Sequence, residues 1–116
     1  MINKENIKKI LIIKLRGIGD VILTTIVLDT IVKEFPNAKI DFLADTPSVP
    51  LLKPLKQLSK VHAFNRKSFI KRIFTFFKIR NQKYNLILDF FSNPVSAQIT
   101  FFSGAEYRVG FPYKGR

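Results

Sequence analysis

Between Lys8 and Lys14 the chain reads Lys-Lys-Ile-Leu-Ile-Ile-Lys, an apolar run with no alternation. A strand with one wet face shows a two-residue period. An unbroken run this short fits a strand covered on both faces, as at the centre of a parallel sheet. Asn85-Leu-Ile-Leu-Asp-Phe90 repeats the pattern and ends in an acid. Parallel neighbours cannot be joined by a tight turn and need a crossover, usually a helix. These two runs therefore predict strands alternating with helices, and the intervening sequence supplies them. Val21, Thr24, Thr25, Leu28, Ile31, Val32 and Phe35 recur at three and four, a helix that Pro36-Asn37 stops. Lys39 to Ala44 alternates and ends at Asp45 as a second strand. Pro47, Pro50 and Pro54 leave only short helical pieces around Leu51 to Leu58. Val61 to Phe64 is a weak third strand, and Ser68 caps a helix to about Gln82. Val95 to Phe102 reads as a helix closed by Gly104, and Tyr107 to Phe111 as a fifth strand. The expectation is an α/β fold with right-handed crossovers, strand order 3-2-1-4-5 and a switch point between the first and fourth strands. The sequence stops at Lys114-Gly-Arg116, just after that strand and without a helix to cover it. An open edge is an aggregation hazard, so the sequence reads as the first part of something longer.

Composition narrows the chemistry. The 116 residues suit one domain, and 47% hydrophobic with 24% charged residues is globular, which excludes disorder and collagen-like structure. With no cysteine there is no disulfide, thiolate nucleophile or cysteine-based zinc site, and a single histidine removes histidine clusters, so no metal site is expected. Twenty Lys and Arg against eight Asp and Glu give +12, a balance that suits a polyanionic partner. The N-terminus is too polar for a secretory signal, and no stretch approaches the ~18 apolar residues of a membrane span. The expected location is cytoplasmic, with a peripheral membrane association left open.

In open α/β sheets ligands sit at the carboxyl ends of the strands, around the switch point. Arg16-Gly-Ile-Gly-Asp20, Asp45 with its following loop, and Asp89-Phe-Phe-Ser-Asn93 fall there. A dinucleotide fingerprint would need a third glycine where Ile22 stands, and Asp20 would compete with a pyrophosphate for the helix N-terminus. Asp20 as a plain N-cap explains a short polar residue but not Gly17 and Gly19, which let the backbone crowd a ligand. Asp45 and Asp89 read as loop caps or as partners for ligand hydroxyls, and His62 as structural.

The helix from Ser68 is the second constellation. Ile70, Ile73, Phe74 and Phe77 form one apolar stripe, with Phe69 and Phe76 beside it. Lys71, Arg72, Lys78 and Arg80 lie mostly off the stripe, and Arg66 and Lys67 extend the basic patch upstream. One reading is a sheet-covering helix with a solvated basic face. The other is a basic amphipathic surface that meets an anionic acceptor or the lipid leaflet through Arg66, Lys67, Lys71, Arg72 and Lys78.

Lys9-Ile-Leu-Ile-Ile-Lys-Leu-Arg-Gly-Ile-Gly-Asp-Val-Ile-Leu-Thr-Thr25 resembles the opening of family 9 glycosyltransferases, the lipopolysaccharide heptosyltransferases. That family opens with an apolar strand, a small-residue loop, Gly-Asp-Val and a threonine-rich helix start. Tyr84-Asn-Leu-Ile-Leu-Asp89 resembles its Tyr-Asp-x-x-x-Asp strand, and Asn93, Ser96-Ala97 and Ser103-Gly-Ala-x-x-Arg-x-Gly-Phe111 also fall in its pattern. The resemblance spans essentially the whole chain. Ile26 departs where a proline is usual, and Phe91 and Val95 stand where a glutamine and an arginine are common, which bears on the acceptor.

What the resemblance implies is a Rossmann-like three-layer domain, the N-terminal, acceptor-side half of a GT-B enzyme whose C-terminal nucleotide-sugar domain lies outside these residues. The implied reaction moves a heptose from ADP-heptose to a lipopolysaccharide inner-core acceptor with inversion. Asp20 is the implied base, and Gly17, Gly19, Thr24, Thr25, Asn93 and Ser96 the implied substrate contacts. The donor is a substrate, so no cofactor and no metal are expected, and the half alone is expected to be inactive. The competing class is a small basic nucleic-acid-binding module. It lacks the paired exposed aromatics of an RNA-recognition sheet and any helix-turn-helix spacing, so nucleic acid is not expected as a partner. An inactive, truncated gene product is the third alternative.

Overall fold

The computed structural model describes residues 6–14, 21–65, 67–89, 98–99, 101 and 103–110. Its elements are β1 (Lys9–Ile13), α1 (Val21–Glu34), β2 (Lys39–Asp45), a 3-10 turn (Thr46–Ser48), α2 (Val49–Leu52), β3 (Leu58–Phe64), α3 (Phe69–Gln82), β4 (Leu86–Asp89) and β5 (Tyr107–Gly110). The strands form one five-stranded sheet in the order β3-β2-β1-β4-β5, and every pair is parallel. This is the expected α/β fold and the expected strand order. Residues 98, 99, 101 and 103 are helical, and Gly104 follows at φ +71°, a left-handed conformation that suits glycine as the helix stop.

The unbroken apolar runs are explained by helices on both faces. Ile10, Ile12, Ile40 and Phe42 pack under α1 and α2 with Leu28, Ile31 and Leu52. Leu11, Ile13, Leu43 and Ile87 face the other way and pack with Ile79 of α3, Tyr84 and Ile99. Each such side chain contributes about 1.5–3 kcal/mol when fully removed from water.

Three expectations change. First, β2 does not alternate between a wet and a dry face: Ile40 to Ala44 are all buried, Asp41 among them at 2% exposure. Both faces of β2 are covered, so Asp41 is carried inside by its register. Second, β3 is longer than Val61 to Phe64 because it pairs with β2 from Leu58 onward, absorbing a register shift between Ile40 and Asp41.

Third, α3 presents a different face to the sheet. Ser68 caps it as expected, its hydroxyl accepting from the Lys71 amide at 3.3 Å. The inward residues are Thr75 and Ile79, with Phe76 packed against the core and the Arg72 guanidinium over the Phe64 ring at 5.7 Å. Phe69, Ile70, Phe74 and Phe77 are 61–71% exposed. Both 70-73-74-77 and 72-75-76-79 have the spacing of one helical face. The second set faces the sheet, where Ile79 and Phe76 pack with Leu11, Ile13, Leu43 and Tyr84. On α1, Val32 of the expected stripe is 40% exposed, while Leu28 and Ile31 are buried.

Candidate functional site

The carboxyl edge of the sheet is built from the ends of β1, β2 and β4. Ile13 and Asp89 are register partners across the β1–β4 pair, and Asp89 also pairs with Gly110. The chain leaves β1 toward α1 and β2 on one side and continues through β4 to β5 on the other, so the order reverses between β1 and β4. That is the switch point at which open α/β sheets hold ligands.

Asp89 is buried at this edge. Asp45 closes β2, on the far side of β1 from Asp89; its Oδ1 is buried with no hydrogen-bond partner among the described residues. A buried carboxylate oxygen without a donor costs free energy, so this atom marks a strained point at the carboxyl end of β2. Thr24 and Thr25 lie half-buried in the first turns of α1, which begins at Val21 directly after position 20. Gly17, Gly19, Asp20, Asn93 and Ser96 lie outside the described residues. Of the expected site the structure thus places the two threonines and the flanking aspartates.

On the basic helix, Lys67, Lys71 and Lys78 are exposed, and Arg66 lies outside the described residues. Arg72 is half-buried against Phe64, so it belongs to the packing of α3 more than to its free surface. Along α3, Ile73, Phe76, Phe77 and Arg80 line an apolar groove of about 320 Å³. No helix among the described residues is long and apolar enough to cross a membrane.

A polar cluster beneath the C-terminal end of α3 was not anticipated. The Tyr84 hydroxyl donates to Asp41 Oδ2 at 2.5 Å, His62 Nε2 lies 2.8 Å from that hydroxyl, and the Lys60 amide donates to Asp41 Oδ1 at 3.1 Å. Tyr84 has one proton and gives it to Asp41, so hydrogen-bond accounting assigns His62 Nε2 as the donor to the Tyr84 oxygen. Burial alone would raise the Asp41 carboxyl. The hydrogen bonds from His62 and Tyr84, the His62 charge and the Lys60 amide together outweigh it and hold the group below its ordinary value. Burial, then the hydrogen bond and charge of Asp41, push the Tyr84 phenol far above its usual range. His62 is therefore structural, as expected. The one sequence sign of the cluster is an aspartate inside an apolar strand.

No family model matches the chain. Lipopolysaccharide heptosyltransferase 3 of Escherichia coli is 27% identical over 104 residues, which is 84% of this chain and 31% of that protein. A solved structure of a glycosyl transferase family 9 protein from Veillonella parvula superimposes with a TM-score of 0.76 at 19% identity, over 90% of this chain and 32% of that one. The chain resembles glycosyltransferase family 9 in sequence and in fold. It spans about a third of the length of both family 9 relatives.

Proposed function

We propose that this chain is the acceptor-binding half of an inverting glycosyltransferase that moves a heptose from ADP-heptose to the inner core of lipopolysaccharide. The observation that carries the reading is the similarity to lipopolysaccharide heptosyltransferase 3 along 84% of the chain. In this reading Asp20 takes the proton of the acceptor hydroxyl as the bond to the anomeric carbon forms, while the departing nucleotide leaves the sugar oxocarbenium-like. A carboxylate is a weak base, which suffices when the hydroxyl loses its proton late. Gly17 and Gly19 let the backbone approach the acceptor, and Thr24, Thr25, Asn93 and Ser96 hold its hydroxyls. Asp45 Oδ1 adds an acceptor at the same edge. The nucleotide-sugar contacts fall to a second Rossmann-like domain of a GT-B enzyme, outside this sequence. No metal or cofactor is assigned.

The test is transfer itself. An enzyme carrying both halves, given ADP-heptose and heptose-deficient lipopolysaccharide, is expected to lengthen the core by one heptose, whereas these 116 residues alone are not. Absence of transfer by the two-domain enzyme with every acceptor of this class defeats the proposal.

The same reading sets α3 against the cytoplasmic leaflet, where the acceptor lies. Its support is the exposed row Phe69, Ile70, Phe74 and Phe77 interleaved with Lys67, Lys71 and Lys78. Apolar side chains beside lysines gain from both acyl burial and anionic headgroups. Phe74→Ser with Phe77→Ser should change stability by only about 0.5 kcal/mol each, as exposed substitutions do, yet weaken binding to anionic vesicles. Ile79→Ala should instead cost about 2–5 kcal/mol and leave vesicle binding of the folded protein intact. Denaturant unfolding and vesicle sedimentation measure both. A large stability loss in the phenylalanine variant would mean that this face is core.

A further inference from the structure

We infer a phosphoryl-binding site at the amino edge of the sheet, on the edge opposite the proposed acceptor crevice and independent of the transfer reading. Lys8, Lys9, Lys39, Asp41, Lys60 and Gln82 line a cavity of about 370 Å³ there. Strand register builds it. Lys9 and Lys39 are direct partners across β1 and β2, and Asp41 and Lys60 across β2 and β3. Side chains alternate along a strand, so Lys9 shares its face with Leu11 and Ile13, and Lys60 shares its face with His62 and Phe64. Leu11, Ile13 and Phe64 all pack on the α3 side, which brings the three lysines to one face around Asp41.

Like charges placed opposite one another on neighbouring strands repel. Here four lysines surround one carboxylate, and that carboxylate is already occupied by the Tyr84 hydroxyl and the Lys60 amide. Among the described residues none of the four ammonium groups has a carboxylate within ion-pair distance. Two of them converge on a neutral atom instead: Lys9 Nζ lies 2.7 Å and Lys60 Nζ 3.4 Å from Gln82 Oε1. Lys9 Nζ is further held 5.3 Å from the centre of the Tyr84 ring. An ammonium has three donors, so both cations keep unused N–H groups facing the same space. With Lys8, Lys39 and Lys60 exposed, their charges are otherwise met only by water and mobile ions, and a multiply charged anion would bridge them. A phosphate monoester or pyrophosphate supplies two or more charges and several strong acceptor oxygens within the cavity's size.

The probes are inorganic pyrophosphate and glucose 1-phosphate, titrated calorimetrically into the 116-residue chain, and phosphatidate vesicles for the same group on a lipid. Saturable one-to-one binding is expected. Lys39→Gln with Lys60→Gln should weaken it by about tenfold for each ammonium removed. Lys33→Gln with Lys56→Gln removes equal charge elsewhere and should leave it within about twofold, the scale of screened long-range effects. Soluble binding without a phosphatidate effect identifies a free ester as the ligand source. Phosphatidate binding that pyrophosphate displaces identifies a lipid headgroup. Both outcomes support the site. As a measurement that needs no variant, pyrophosphate should slow acetylation of Lys9 and Lys60 in the wild type, read by mass spectrometry. No saturable binding, equal loss in both double variants, or unchanged acetylation would overturn the inference.

Discussion

Asp20→Asn, in an enzyme that carries both halves, should fold normally and lose at least ~10²-fold in turnover, the low end of general-base contributions. Asparagine caps helices about as well as aspartate, so whatever Asp20 contributes to the start of α1 survives the change. What it cannot do is accept the acceptor's proton. Acceptor affinity should change little, because the side chain keeps its shape and most of its hydrogen bonds. Asp89→Asn is the internal comparison: it alters a buried carboxylate at the same edge and should show a smaller loss of rate. Initial rates of sugar transfer, measured with thermal unfolding of both variants, separate chemistry from stability. Near-normal turnover in Asp20→Asn would reduce Asp20 to a helix cap and remove the proposed mechanism.

Asp41→Ala should be the most damaging substitution to the fold itself. It strips the partner from the Tyr84 hydroxyl and the Lys60 amide and leaves His62 facing an empty site. Each buried group left unsatisfied costs about 1–3 kcal/mol, so a loss of about 3 kcal/mol or more is expected, which for a domain of this size lowers Tm by roughly ten degrees or more. Tyr84→Phe removes the central hydroxyl only and should cost less. The cluster also predicts a pH dependence. The folded Asp41 carboxyl sits below its ordinary value of 3.8, so its contribution is complete above that value and is lost as pH falls through the lower folded value. Tyr84 is shifted the other way: its contribution is complete below its ordinary value of 10.0 and begins to fade as pH rises above it. Denaturant unfolding from pH 2 to 7 should therefore show an acid limb in the wild type that Asp41→Asn flattens. An unchanged limb would place the acid sensitivity in other carboxylates.

Fold class and strand order were legible along the chain. Ile10 to Ile13 and Leu86 to Leu88 are unbroken because both faces of those strands are covered, and such runs separated by helix-length segments admit few arrangements other than a parallel sheet. Element ends were equally local: Pro36 after α1, Ser68 before α3 and Gly104 at +71° each act through their own backbone. The loop from Gly17 to Asp20 was read from its local pattern alone and lies outside the described residues.

How faces and registers meet emerges only from the packed fold. Helix α3 carries two stripes of identical spacing, and local sequence favours the more apolar one. The sheet instead accepted Thr75, Phe76 and Ile79, and the row Phe69, Ile70, Phe74 and Phe77 was turned to solvent. Asp41, His62 and Tyr84 are separated by up to 43 residues and meet only through the β2–β3 register and the turn into β4. The lysine-lined cavity has the same origin. Lys9, Lys39 and Lys60 each look like an ordinary charge at the edge of a strand, and parallel pairing alone brings them to one face. Periodicity and capping are properties of neighbouring residues, whereas register is a property of strands distant in sequence, and the charge clusters it creates have no local signature.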